Sequence, residues 1–165
     1  MATAIFYASS TGNTSSVAKM ISENLGGVEM FDLASDEVTK INEYDKVIIG
    51  ASTWGEGELQ DDWEEAWDEF SDISFEGKTV ALFGLGDQEG YGDEFLDAMG
   101  IIHDKVVESG ASIIGNWSVE GYDFDESKAV QDGEFVGLAI DEDNQDDLTE
   151  QRVTQWCEQI KNSMV

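Results

Sequence analysis

Short apolar runs alternate with segments of helical period along almost the whole chain, and few folds satisfy that order. The runs Ala2–Tyr7, Val28–Phe31, Lys46–Ala51 and Thr79–Gly84 read as strands, and a fifth opens at Ala111–Trp117. Between them, Thr14–Leu25, Asp61–Phe70 and Asp93–Ser109 carry apolar residues at helical spacing, and Asp147–Asn162 adds a last helix with an acidic first turn. The stretch Lys-Val-Ile-Ile-Gly-Ala at 46–51 is nearly all apolar, as a strand buried on both faces must be. This order predicts an α/β fold, a parallel sheet with helices on both faces. The segment 118–137 breaks the pattern. It is polar, turn-rich and without helical period, and reads as an insertion in or just after the fifth strand, with apolar character resuming at 135–140. A length of 165 residues fits one domain, 1–165.

Charge narrows the classes of function. Eight Lys and Arg stand against 37 Asp and Glu, a net charge of −29. Nucleic acid needs a basic face and is excluded as a partner. A disordered acidic tail is excluded too, because 41% of the residues are hydrophobic and fall in regular blocks. Such a surface calls for basic-faced partners met by electrostatic steering. Cys157 is the one cysteine, beside Trp156 in the last helix, and reads as a structural thiol; no multi-cysteine metal site can form. With no signal peptide and no stretch long enough for a membrane, the expectation is a soluble cytoplasmic protein without membrane insertion. His103 is the sole histidine and lies mid-helix, so no Ser-His-Asp or metal constellation can be assembled and no enzyme chemistry is expected.

The informative residues lie in three loops that a doubly wound sheet would bring to one rim. After the first strand come Ser9, Ser10, Thr11, Gly12, Asn13 and Thr14 at a helix start, a donor-rich cradle for a phosphate. It lacks the Gly-Lys-Ser/Thr that an ATP loop requires, so it suits a single terminal phosphate. Loop two runs Ser52-Thr53-Trp54-Gly55-Glu56-Gly57-Glu58-Leu59, and loop three Leu85-Gly86-Asp87-Gln88-Glu89-Gly90-Tyr91-Gly92-Asp93. One aromatic in each glycine-rich loop, Trp54 and Tyr91, points to two walls of a slot for a flat ring.

These motifs resemble the flavodoxins, and the resemblance covers essentially the whole chain. Ile5-Phe6-Tyr7-x-Ser9-x-x-Gly12-x-Thr14-x-x-x-Ala18 follows that family's phosphate loop. Thr53-Trp54-x-x-Gly57-Glu58-Leu59 and Gly86-Asp87-Gln88-x-Gly90-Tyr91 are similar to its second and third loops. Gly121-Tyr122-x-Phe124, 135–138 and Asp141-Glu142-Asp143-Asn144 resemble motifs of the long-chain subgroup. The resemblance implies a flavodoxin-like doubly wound five-stranded parallel sheet, order 2-1-3-4-5, with an insertion in the fifth strand. It implies one non-covalent FMN. Residues 9–14 would hold its phosphate, and Ser52, Thr53, Gly55 and Gly57 would run beside ribityl and ring. Trp54 would lie on the inner face and Tyr91 on the outer. Leu85, Gly86 and Asp87 would meet the pyrimidine edge, with Asp93 and Phe95 completing the third loop and Asp143 reaching the ribityl hydroxyls. The Gly55 carbonyl would accept the ring N5–H. Three residues depart from the family pattern: Ser52 replaces a frequent proline, Leu85 a hydroxyl residue, and Gly55-Glu56 an asparagine-led pair.

The resemblance implies a low-potential one-electron carrier, monomeric, serving ferredoxin–NADP reductase, photosystem I, nitrogenase reductase or other flavodoxin-dependent enzymes. Glu56, Asp87, Glu89 and Asp93 would raise the energy of the anionic, fully reduced ring and so lower the potential. An FMN-dependent quinone reductase of related fold is the alternative, but it needs an oligomeric pocket and a nicotinamide site. A receiver domain would need an acidic pair where Ala8-Ser9-Ser10 stands. A non-redox interaction module would bind no FMN.

Overall fold

The side-chain alternation of the central strands decides the layering. The computed structural model describes residues 3–8, 12–54, 58–90 and 92–164, with the backbone alone at Trp54 and Glu58. Along β1 (Thr3–Tyr7) and β3 (Lys46–Trp54), Ala4, Phe6, Val47 and Ile49 pack into one core, and Ile5, Tyr7 and Ile48 into another. In β5 (Thr79–Leu85), Val80 and Leu82 join the first core, and Ala81, Phe83 and Leu85 the second. Strands buried on both faces need a helical layer on each side. The first layer contains α2 (Asp61–Ser71), α3 (Asp97–Glu108) and a 3₁₀ turn at Val38–Glu43. Trp63, Phe70, Met99, Ile102 and Val106 are its buried contacts. The second contains α1 (Asn13–Asn24) and α4 (Thr149–Met164), through Val17, Ala18, Ile21, Val153, Trp156 and Ile160. Cys157 is buried in that layer, and loss of solvent pushes its thiol up to about 12, as expected of a packing residue.

The parallel order is β2 (Glu29–Asp32), β1, β3, β5, and then two short strands that share the far edge of β5. The first, β6 (Ser112–Ile114), pairs with Thr79–Ala81, and the second, β10 (Leu138–Ile140), with Phe83–Leu85. Both are parallel to β5, so the order 2-1-3-4-5 holds with the fifth place filled in two instalments. The insertion sits between them. It forms an antiparallel sheet of β7 (Trp117–Ser118), β9 (Glu134–Phe135) and β8 (Val130–Gln131). Its hairpin turns at Asp132 (φ 55) and Gly133 (φ 82), left-handed at both central positions as a two-residue hairpin demands. Phe135 packs against Tyr122, Phe124 and Phe95 with ring centroids 5.1–5.8 Å apart, giving the insertion a core continuous with the first layer.

Element ends depart from expectation in four places, the first being β3, which runs to Trp54, three residues past the expected Ala51. The helix expected from Asp93 begins at Asp97, because Leu96 is left-handed (φ 60) and residues 92–94 form a separate 3₁₀ turn. The helix expected from Asp147 begins at Thr149 after a 3₁₀ turn at 146–148, and runs to Met164. The fifth strand expected over 111–117 ends at Ile114 and restarts as β7.

Among the described residues two Lys–carboxylate ion pairs form, Lys40–Asp36 and Lys105–Glu108, and His103 Nδ1 lies 3.2 Å from the Asp104 carboxylate. With eight Lys and Arg against 37 Asp and Glu, most of the acid has no cation to pair with. Helix α2 concentrates it: Asp61, Asp62, Glu64, Glu65, Asp68 and Glu69, with Asp72 as its C-cap and no basic residue in its last turn. Many of these carboxylates sit three or four residues apart, at ~0.2–0.5 kcal/mol of repulsion per pair, and the last ones face the negative end of the helix dipole. The sum is on the order of 3 kcal/mol, which salt screens. Thermal melting in KCl should rise by about 10 °C between ~0.05 and ~2 M. A melting temperature that stays flat over that range would contradict this.

Candidate functional site

Because β1, β3 and β5 are parallel, their C-terminal ends open on one edge. Tyr7 lies opposite Gly50, Ser52 opposite Leu85, and Leu85 opposite Ile140. All three candidate loops leave from this edge.

Loop one leads into α1. Gly12 precedes the helix with φ 93, a left-handed turn that glycine makes without strain, and its carbonyl accepts the Ser16 N–H and Oγ, each at 3.0 Å. Gly12, the N-cap residue of α1, makes no side-chain cap, and the helix's first turn holds no acid. The other helices differ. α2 opens with Asp61, Asp62 and Glu64 under a Gln60 cap, α3 with Asp97, and α4 with Glu150. In so acidic a chain, an uncharged first turn leaves the positive dipole end of α1 without a local negative charge, which favours an anion there. Thr14 is buried there and Asn13 exposed. Ser9, Ser10 and Thr11 lie outside the described residues.

Loop two is the tip of a hairpin. β4 (Glu58–Leu59) turns back antiparallel on the end of β3, pairing Thr53 with Leu59 and Trp54 with Glu58. Gly55 and Gly57, at its tip, lie outside the described residues, as does the Trp54 side chain. Ser52 is half-buried beside Leu85. The Thr53 hydroxyl accepts the Ala98 N–H at 3.0 Å. It thereby caps α3, whose own Leu96 supplies no side-chain cap.

Loop three is anchored at both ends. The Leu85 side chain is buried in the second core, leaving only its backbone for the rim. The Gly86 N–H donates to the Ile140 carbonyl at 3.0 Å, and a Cβ there would meet the Leu96 backbone nitrogen at 3.2 Å. Asp87 Oδ1 accepts the Gly90 N–H at 2.8 Å, Asn144 Nδ2 at 2.7 Å and the Glu89 N–H at 3.1 Å. These bonds, that from Gly90 foremost, hold its carboxyl below the usual carboxylate range. Asp93 is exposed in the 3₁₀ turn at 92–94, and Tyr91 lies outside the described residues.

Phe95 requires a correction. Its side chain is wholly buried against Phe124 and Phe135, and its N–H donates to Glu126 O, so it belongs to the core beneath the insertion and not to the rim. Asp143 is exposed, and its carboxyl oxygens come within 4.8 Å of those of Asp87 and Asp141. Loss of solvent, then the charges of Asp87 and Asp141, raise its pKa; loss of solvent chiefly raises that of Glu142. Sequence reasoning missed two residues. Gln88 and Asp141 are both buried and bond to each other across 53 positions. Their only sequence signal is their place in loop-three and C-terminal motifs.

The signs of these shifts predict a pH profile. Glu142 and Asp143 hold protons more tightly in the fold than in the unfolded chain, so falling pH stabilises the protein just above ~4. Asp87 has the opposite sign. Its contribution is present above its ordinary value and lost as pH falls below ~4 through the lowered one. The melting temperature should pass through a maximum at mildly acid pH, and Asp143→Asn should lessen the rise on the neutral side. A steady decline from pH ~7 downward in the native chain would contradict this.

The chain matches the flavodoxin family over residues 5–156. It is 51% identical over 160 residues to a flavodoxin of Synechocystis sp., covering 95% of this chain and 94% of that one. It is 48% identical over 164 residues to flavodoxin 2 of Escherichia coli, covering 97% and 95%. Its fold superposes on the crystal structure of Fusobacterium nucleatum flavodoxin bound to flavin mononucleotide with a TM-score of 0.94, at 31% identity and over 99% of both chains. With the sheet order, the split fifth strand and the uncharged start of α1, these full-length matches establish that the chain belongs to the flavodoxin family.

Proposed function

We propose that this chain binds one FMN without a covalent link on the rim formed by its three loops, and carries single electrons at low potential between larger redox proteins. As a member of the flavodoxin family it is an electron-transfer protein and not an enzyme. The observation that carries the assignment of the phosphate end is the first turn of α1, where glycine, amide and hydroxyl residues stand without a charge. That donor set fits a terminal phosphate, and Thr14 with the amides of the first turn of α1 would hold it. Thr53 Oγ1 and Gly86 N are engaged with Ala98 and Ile140, so they would act by fixing their loops.

When bound, FMN supplies a ring that takes up and releases electrons one at a time. The chain's own residues set the conditions. Trp54 and Tyr91 would flank the ring and exclude water, and the Gly55 carbonyl would hold the N5 proton. Asp87 and Asp143 would keep negative charge at the rim and disfavour a second one on the ring. The net charge of −29 supports basic-faced partners, of which ferredoxin–NADP reductase and photosystem I are the leading candidates and nitrogenase reductase a third. The insertion that divides the fifth strand supports a place in the long-chain subgroup. No helix among the described residues is long and apolar enough to cross a membrane; a monomer working in the cytoplasm is the reading that suits a mobile carrier.

Titration with FMN and with riboflavin, which lacks the phosphate, tests the assignment of the loop. Thr14→Val should weaken FMN roughly tenfold, the loss of one charge-assisted hydrogen bond, and leave riboflavin unchanged. Equal loss for both ligands, or for neither, would contradict it.

A further inference from the structure

Gln88 and Asp141 form a buried hub that nothing in a simple phosphate-and-ring site requires. Asp141 is 0% exposed, and its carboxylate is surrounded by N–H donors. Oδ2 accepts the Gln88 backbone N–H at 3.1 Å, Gln88 Nε2 at 2.7 Å and Asn144 Nδ2 at 2.9 Å. Oδ1 accepts the Asp143 and Asn144 N–H groups at 3.1 and 3.0 Å. Gln88 extends the network. Its Nε2 also donates to Gln145 Oε1 at 2.9 Å, and its Oε1 accepts the Asp123 N–H at 2.5 Å. Gln145 Nε2 then donates to the Gly121 carbonyl at 3.0 Å. Three segments distant in sequence thus meet at one amide: loop three, the insertion, and the turn after β10.

A second set of bonds holds loop three on its far side. The Asp125 and Glu126 N–H groups donate to the Gly92 carbonyl at 2.9 and 3.0 Å, Ser127 Oγ donates to the Phe95 carbonyl, and the Lys128 N–H to Asp97 Oδ1 at 2.7 Å. The insertion therefore grips the chain on both sides of Tyr91, at Gln88 and at Gly92. Burying a carboxylate is costly even when it is fully hydrogen-bonded, and such networks are kept where one geometry must be specified.

We infer that Gln88 and Asp141 are positioning residues for the flavin. They lock residues 86–90 to the insertion and the 141–145 turn, so the ring-facing side of the site depends on the insertion while the phosphate side does not. This rests on the proposed binding of FMN. The amide of Gln88 is essential to the lock because it offers a donor to Asp141 and an acceptor to Asp123 at once.

The test is Gln88→Glu, which sets a carboxylate against that of Asp141 while keeping the acceptor for Asp123, and Gln88→Met, of similar length, which removes the donor and the acceptor together without adding charge. Each is titrated with FMN and riboflavin after its apoprotein melt confirms a folded chain, and the visible circular dichroism of the bound flavin is recorded. Both variants should weaken FMN and riboflavin by the same factor, roughly tenfold for Gln88→Glu, and alter the flavin dichroism. Two results would overturn the inference: both ligands held within about twofold of the native chain in either variant, or FMN weakened with riboflavin unaffected. A native chain that takes up neither ligand would overturn the FMN reading itself, and this inference with it.

Discussion

The parallel register of β1, β3 and β5 is the constraint on which everything else hangs. These strands are buried on both faces, so each must be followed by a crossover through a helix or turn layer, and each must end at the same edge. That one edge receives the start of α1, the β3–β4 hairpin and the Gly86–Gly90 turn. Shared ends make a site from loops far apart in sequence. The same register leaves the last strand position of the sheet open for two short pieces. β6 covers the first half of β5 and β10 the second, and the chain between them is free to build a small sheet of its own beside the rim.

Charge works in two directions here. The acid that would draw a basic partner far outnumbers the Lys and Arg that could pair with it, and in α2 it runs the length of the helix, favoured by the dipole in the first turn and opposed by it at Asp68, Glu69 and Asp72. A fold of this charge tolerates the repulsion because its cores are continuous on both sides of the sheet, from Trp63 and Phe70 on one to Trp156 and Ile160 on the other. The exception in the pattern is informative. The start of α1 is spared from acid, and there the local electrostatics favour an anion although the molecule as a whole repels one.

The parts of the fold that were legible in sequence are those governed by local rules. The β1, β3 and β5 runs are apolar without interruption, and the Trp63–Trp67–Phe70 stripe has helical period; both appear where expected. The start of α3 was not legible, because Phe95 and Leu96 continue an apolar helical pattern while Leu96 takes a left-handed backbone held by tertiary contacts. The hairpin in the insertion had a usable sign, Asp132-Gly133, a favoured pair for a two-residue turn. β4 is two residues long and has no period to read. In the site, composition marked the three loops as candidates, whereas Phe95, named with them through the family resemblance, packs beneath the insertion, since position in a loop motif does not say which way a ring points. Gln88 and Asp141 were invisible as partners. A polar residue in a loop looks solvent-exposed until the fold brings its partner from 53 positions away.

Electron carriage through a bound flavin is the central claim, and stepwise anaerobic reduction followed by visible absorption tests it most directly. The expected result is a yellow protein that passes through a distinct blue phase before bleaching, the mark of two well-separated one-electron steps. Direct bleaching of a yellow protein, or a colourless protein that stays colourless with added FMN, would contradict it.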